Sequence, residues 1–501
     1  MPQPDSLYDL AIVGGGINGT GIARDAAGRG LRVLLVEKDD LAAHTSSSST
    51  KLIHGGLRYL EYYEFRLVAE ALAEREVLLR AAPHIISPLQ FVLPHEPHLR
   101  PAWMIRAGLF LYDHLGGRKT LPSSFAVDLR GAWGAGLKPK FQKGFVYADA
   151  RVDDARLVMF NAMSARDLGA DILVRTRLLG ARREAAAWRV TLQEADGTRY
   201  ERRARAFVNA AGPWVKQIHD EAIAEPSRAS VRHVKGSHIV VPRVHERDHA
   251  YILQNSDNRI VFVIPYQDRF SLIGTTDVPV EDYENPHIAQ DEIAYLCRIA
   301  SAYLAKPISP ADVVWTYSGV RPLYDDGSVD PSAVTRDYVL KLDAEGNDAP
   351  LLSIFGGKIT TYRRLAEQAL DELKRFFPKM KRAWTRLQPL PGGDVPRGDL
   401  GAYLRQLCAQ FPGFDPVYLE ALLRRHGTRS PRVLSTARRP TELGAHFGST
   451  LYAAEVDYMI EQEWARDADD VLWRRTKCGL HLSAVERASV AAYMRQRLKA
   501  A

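Results

Sequence analysis

The chain has 501 residues, of which 46% are hydrophobic and 25% charged, a globular balance with room for two or three domains of about 150 residues each. A mean hydropathy of -0.23, with no uncharged apolar run of the ~18 residues a bilayer crossing takes, excludes a transmembrane helix. Lys and Arg outnumber Asp and Glu by 67 to 60, which favours phosphorylated metabolites, acidic lipids or nucleic acid as partners without choosing among them. No basic stretch precedes an apolar one at the start, so no secretory signal is read and the expected compartment is cytosolic. Cys297, Cys408 and Cys478 stand far apart, so no disulfide framework or thiolate metal site is expected. No metal is assigned, and redox chemistry here would need an organic carrier.

In chain order, residues 10–13 read as a first core strand, followed by the turn Gly14-Gly15-Gly16-Ile17-Asn18-Gly19. A helix carrying Ile22, Ala23 and Ala26 comes next, stopped by Gly28 and Gly30, and a second strand over 31–36 ends in Glu37 and Lys38. A glycine string alone is weak evidence, but this complete strand, turn, helix, strand and acid unit is a dinucleotide site. Gly14 permits the turn, Gly16 lets a pyrophosphate approach, Gly19 lets the helix pack closely, and Glu37 is placed to accept from ribose hydroxyls. NAD and FAD remain open at this point, since both carry an ADP half.

Thr45, Ser46, Ser47 and Ser49, with the run Lys51-Leu52-Ile53-His54-Gly55-Gly56, read either as a lining for a flavin ribityl chain and ring or as a surface loop. Residues 62–81 have helical spacing with Glu and Arg on the expected outer face, and Asp153 suits an N-cap for a helix from 154. RIVFVIPY at 259–266 and FSLIGTTD at 270–277 read as strands of an antiparallel sheet in a second domain. Gly356-Gly357-Lys358 leads into a helix predicted to start near Thr360, whose dipole suits the N1/C2=O end of a flavin. After PLPGG at 389–393 the composition turns helical and Arg-rich.

Taken together, GGGINGTGIARDAAGRG, SSSSTKLIHGGLRYLEYYEFRLVAEALAEREVLL, LRPAWMIRAGLFLYDHLG, NAAGPWV, KGSHIVVPR, IGTTD, WTYSGVRPL, TRDY and FGGKITTYR resemble the FAD-dependent, membrane-associated glycerol-3-phosphate dehydrogenases of aerobic bacterial type. The resemblance runs in order across about residues 8–365, and ADDVLWRRTKCGL extends it towards the C-terminus. It implies an α/β protein with a Rossmann-like FAD-binding domain of glutathione-reductase type, a mixed-sheet substrate domain related to that of the D-amino-acid oxidases, and an all-helical C-terminal domain. The expected boundaries put FAD parts at about 1–90, 145–225 and 335–388, substrate parts at about 91–144 and 226–334, and the helical cap at 389–501. The implied cofactor contacts extend to Ala211, Gly212, Gly356, Gly357, Lys358 and Thr360. The implied reaction oxidises sn-glycerol 3-phosphate to dihydroxyacetone phosphate, with electrons passing to membrane quinone at the cytoplasmic face of the cell membrane.

That chemistry needs cations for a phosphate dianion and a group to accept the hydroxyl proton. Arg321 and Arg336 offer forked guanidinium donors, and Arg58, Tyr59 and Lys358 add donors from flavin-side loops. His238 in KGSHIVV and His54 in KLIHGG compete as proton acceptor, and Arg321 itself is a third candidate through electrostatic lowering of the alcohol's pKa. Two amphipathic stretches, 362–384 and 101–115, read either as core-packed helices or as contacts with an acidic phospholipid surface, and the monotopic family favours the latter. A homodimer is left open. The competing readings are an oxygen-using glycerol-3-phosphate oxidase and another FAD-dependent amine or hydroxyacid oxidase. A nucleic-acid protein is disfavoured, because no basic stripe with stacking aromatics is present.

Overall fold

The computed structural model describes residues 7–96, 101–117, 120–184, 186–223, 230–255, 257, 259–325, 337–344 and 348–499. Among them the strands build two large sheets. In the first, of 8 strands, Leu7–Val13 lies between Val33–Val36 and Arg199–Asn209, parallel to both. Leu351–Phe355 extends the parallel set beyond Arg199–Asn209, and Asp171–Leu173 extends it beyond Val33–Val36. Parallel strands covered on both faces need continuous apolar runs, and VLLV over Val33–Val36 is buried at every position. The helices Ile17–Gly28, Asp154–Asp167 and Tyr362–Leu373 cover this sheet and share one core cluster with it. Asp153 caps its helix as expected, its carboxylate accepting from the Arg156 amide at 3.1 Å.

The second sheet, of 10 strands, is mostly antiparallel and has Ser230–Pro242 towards one end, paired along its length with Trp315–Asp325. Ile260–Tyr266 and Phe270–Gly274, the two runs read as strands of an antiparallel sheet, pair there as a hairpin from Phe262↔Gly274 to Tyr266↔Phe270. Gln290–Tyr303 packs on one face, and Phe65–Ala81 and Ala102–Leu115 contribute to the cluster on the other. Ile86–Pro94 and Lys143–Val152 pair with each other inside this sheet, so boundaries at 91 and 145 do not describe the strands. Both are buried over most of their length, and the pairing joins segments about 50 residues apart that no local signal links.

The C-terminal region is helical, with Leu400–Gln410, Pro416–His426, Ala453–Gln462 and Ala484–Lys499, and one short hairpin of His446–Gly448 and Leu451–Tyr452 is added to the all-helical expectation. A buried ion pair ties it to the first unit: Arg156, from the helix Asp154–Asp167, meets Glu463 at 2.5 Å with neither side chain exposed. One expectation fails on the helix Phe65–Ala81, where Glu74, Arg75 and Glu76 are buried rather than outward. Arg363 reaches Glu74 at 2.6 Å and Arg75 reaches Asp149 at 2.6 Å, partners from distant segments that make burial of those charges tolerable.

Candidate functional site

The glycine turn is dictated by contact. Gly14 has a φ of +110°, and a Cβ there would lie 2.4 Å from the Ala210 carbonyl oxygen. A Cβ on Gly19 would fall 2.0 Å from the Gly14 oxygen, so the helix approaches the strand only without one. Gly16, Ile17 and Asn18 open the helix Ile17–Gly28 and line a cavity of about 320 Å³ together with Glu37, Lys38, Thr45, Ser46, Ala211 and Gly212. The Glu37 carboxylate accepts from the amides of Gly15 at 2.6 Å and Asp39 at 2.8 Å. Burial pushes its carboxyl up, with the two amides acting against that shift. The Gly15 amide thus orients the acid, and the Lys38 ammonium sits 4.3 Å over the Trp214 ring. The side chains of Glu37, Asp39 and His44 also group within 4.8 Å, but His44 is already bonded to Asp39 at 2.8 Å.

A second cavity of about 960 Å³ shares Ile17, Thr45, Ser46, Pro322, Gly356 and Gly357 as walls with the first, so one cleft runs from the acid to the second sheet. A long nucleotide fits that shape: helix amides and Glu37 for its ADP half, and a wider chamber for its ring. Gly356 and Gly357, at φ of +72° and +98°, form the far wall, and Asn18 donates to the Gly356 carbonyl at 3.0 Å. The helix predicted from Thr360 begins at Tyr362 instead. Thr360 is turned into a cross-link, accepting from the His54 amide at 3.3 Å.

His54, Gly55, Arg58, Tyr59, His238, Arg321 and Lys358 meet in the wide chamber. His238 is almost fully buried on the strand Ser230–Pro242, its Nε2 3.0 Å from the Thr50 hydroxyl and its ring stacked on Tyr317 with centroids 4.8 Å apart. Burial, reinforced by the Lys51 and Arg321 cations, holds its pKa down to about 3, so the ring is neutral at physiological pH. Burial lowers His54 as well. Arg321 donates to Asp277 at 3.0 Å and to the Thr276 carbonyl at 3.3 Å, leaving part of its guanidinium in the chamber. The Lys358 ammonium lies 4.2 Å over the Tyr59 ring, and Arg58 donates to the Tyr62 hydroxyl at 3.3 Å.

Some expected contacts serve the loop. Lys51 binds Asp154 at 2.8 Å, the Ser49 hydroxyl also donates to Asp154, and the Ser47 hydroxyl donates to the His44 carbonyl. Ser47, Lys51 and Gly56 line neither cavity, whereas Leu52 and Ser49 line the wide one. Asp154 had been read only as the start of a helix, and nothing local in the sequence links it to a lysine 103 positions earlier. Arg336 falls outside the described residues. Sequence reading missed Tyr317, Arg232 and Arg259, all placed at or against this chamber, and Thr50, read only as part of a hydroxyl-rich turn, meets His238 there. The exposed basic start of RIVFVIPY was the one available signal for Arg259.

The helix Tyr362–Leu373 corrects one membrane assignment. Tyr362, Leu365, Ala366, Ala369, Leu370 and Leu373 lie in the core, and Trp384 packs over Gly28 with its indole donating to the Asp25 carbonyl at 3.1 Å. Its apolar face is therefore already covered by protein. The helix Ala102–Leu115 is the opposite: Trp103 is 70% and Phe110 62% exposed, beside exposed Met104 and Leu111.

Residues 9–363 match the family described as FAD dependent oxidoreductase, and residues 383–500 the C-terminal domain of alpha-glycerophosphate oxidase. The chain is 53% identical to a glycerol-3-phosphate dehydrogenase of Pseudomonas aeruginosa, covering 97% of this chain and 95% of that one. It is 51% identical to a D-erythritol 1-phosphate dehydrogenase of Brucella abortus, covering 98% of each. The fold superposes with a TM-score of 0.77 on a glycerol-3-phosphate dehydrogenase from Bacillus halodurans complexed with FAD, at 24% identity over 99% of this chain and 95% of that one.

Proposed function

The chain belongs to the FAD-dependent glycerol-3-phosphate dehydrogenases, and we propose that it oxidises sn-glycerol 3-phosphate to dihydroxyacetone phosphate and delivers the electrons to a membrane quinone. The observation that carries the reading is the meeting of His238, Arg321 and Lys358 in a chamber continuous with the dinucleotide cleft. FAD in that cleft supplies the two-electron acceptor for the hydride. In this reading Arg321 and Lys358 hold the phosphate, with Arg58 at the same wall, and that grip aligns the carbon that reacts.

The substrate hydroxyl proton is taken up at Nε2 of His238, the nitrogen that meets Thr50 at the chamber wall. A ring with a pKa of about 3 is a weak base, but part of that depression comes from Arg321. A phosphate dianion on Arg321 offsets its charge, so substrate binding itself raises the basicity of the ring. His54, bonded through its amide to Thr360, then has a shaping role. Mixing the purified protein with glycerol 3-phosphate without oxygen should bleach the flavin band. An unbleached spectrum would reject the reaction. A four-carbon phosphorylated polyol is a second reading, supported by the Brucella relative and the roomy chamber. The ratio of kcat/KM for the two alcohols decides between them.

For the membrane side, the support is the helix Ala102–Leu115, which exposes Trp103, Met104, Phe110 and Leu111 and packs against the turn Leu57–Tyr62 and the helix Phe65–Ala81, themselves exposing Tyr62 and Phe65. Among the described residues no helix is long and apolar enough to cross a membrane. A flat helix with an aromatic face is suited to lie at the level of the lipid headgroups. The turn Leu57–Tyr62 places Arg58 and Tyr59 on the chamber and Tyr62 on the exposed patch, a short route between substrate oxidation and the bilayer.

A further inference from the structure

We propose that the C-terminal unit sets the orientation of the His238 imidazole, with Trp473 as a positioning residue at the far end of a column of rings. The inference rests on the reading of His238 as proton acceptor. Trp473 stacks on Trp315 with centroids 4.8 Å apart and planes at 15°. Trp315 meets Tyr317 at 5.2 Å, and Tyr317 stacks on His238 at 4.8 Å and 18°. Trp315 and Tyr317 are alternate residues of the strand Trp315–Asp325, hence on one face, and Tyr317 sits opposite His238 in the ladder.

The column is anchored at both ends. A Cβ on Gly274 would fall 2.2 Å from Cδ2 of His238, so backbone closes one side of the ring. At the other end Trp473 belongs to the turn Asp470–Arg475, which is held by Arg474 on Asp40 at 2.6 Å and followed by Lys477 on Asp153 at 2.5 Å. The charged groups acting on the imidazole are Lys51, Arg321 and Asp154, and the Lys51 ammonium lies 4.8 Å over the Tyr317 ring of the column. Deleting the indole opens space behind Trp315, and the rings relax into it with water following. His238 then loses alignment and part of its burial, which moves its pKa up from about 3 towards the ordinary histidine value.

The test uses the full-length, FAD-loaded enzyme and reads kcat, KM and the pH profile of kcat/KM for glycerol 3-phosphate, with histidine NMR titration and flavin content alongside. Trp473→Ala should lower kcat about tenfold, keep KM within about twofold, and move both the acid limb and the His238 titration to higher pH. Flavin content should hold, and Trp473→Phe, which restores a plane, should recover most of the rate. Should Trp473→Ala not fold, Trp473→Leu fills the space without a plane and carries the same expectation. An unmoved pH profile and titration, a rise in KM without loss of kcat, or a loss that Phe does not recover overturns the proposal. His238→Asn separates the two levels: if it leaves kcat intact, the proton-acceptor reading falls and the column proposal falls with it. If it abolishes turnover while Trp473→Ala changes nothing, the positioning role alone is wrong.

Discussion

The helices Ala102–Leu115 and Tyr362–Leu373 both read as amphipathic and meet opposite fates. Each places apolar residues at helical spacing and has aromatic and basic residues in or near it. In Tyr362–Leu373 the apolar face is packed against the helix Ile17–Gly28, with Leu365, Ala369, Leu370 and Leu373 at 0% exposure. In Ala102–Leu115 only Leu109 and Tyr112 are buried, and Trp103 and Phe110 face outwards. Periodicity reports that a face is apolar and is silent on what covers it. The covering is a property of the tertiary fold, and it decides which helix is available to lipid.

Substitutions on the two helices should separate stability from lipid contact. The largest effect is expected from Leu370→Ala, which leaves a void in a closed core and should cost about 2–5 kcal/mol of stability, read as a lower melting temperature. Its partition to vesicles, measured on the folded protein, should not change. Trp103→Ser combined with Phe110→Ser should do the reverse. Stability should stay within about 0.5 kcal/mol, while sedimentation with acidic vesicles should fall about a hundredfold, because two aromatic side chains are lost from the contact. Unaltered sedimentation would show that this face does not meet lipid. The smallest effect is expected from Lys379→Glu, Lys381→Glu and Arg382→Glu together. These charges are exposed, but the adjoining apolar face is buried in protein, so vesicle binding should change by no more than about threefold at physiological salt. A loss matching that of the aromatic pair would erase the distinction between the two helices.

The legible parts of the site were those whose chemistry is local. Gly14, Gly16, Gly19 and Glu37 lie within 24 positions of one another, and a strand, a turn and a helix dipole fix what each must do. Arg321, His238 and Lys358 were named from residue type and motif, and the fold brings them to one chamber. What the sequence hid depends on pairs far apart in the chain. Thr50 finds His238 across 188 positions, and Lys51, expected at the cofactor, is taken by Asp154. Glu74 and Arg75, expected outside, are buried because Arg363 and Asp149 arrive from elsewhere. A charged residue reads as surface in a sequence window, since the partner that allows its burial is not in the window.

The ion pair between Arg475 and Asp40 gives the order of assembly a direction. Asp40 is 2% exposed and lies just after Glu37, and the guanidinium of Arg475, with that of the neighbouring Arg474, reaches it from 435 positions later. Until Arg475 has been made and docked, that carboxylate has no buried partner and favours water, which pulls the nucleotide-binding loop open. Loading of the dinucleotide thus belongs after translation has passed Arg475. A ribosome-stalled chain ending before residue 470 would carry every glycine of the turn and still lack a settled cradle.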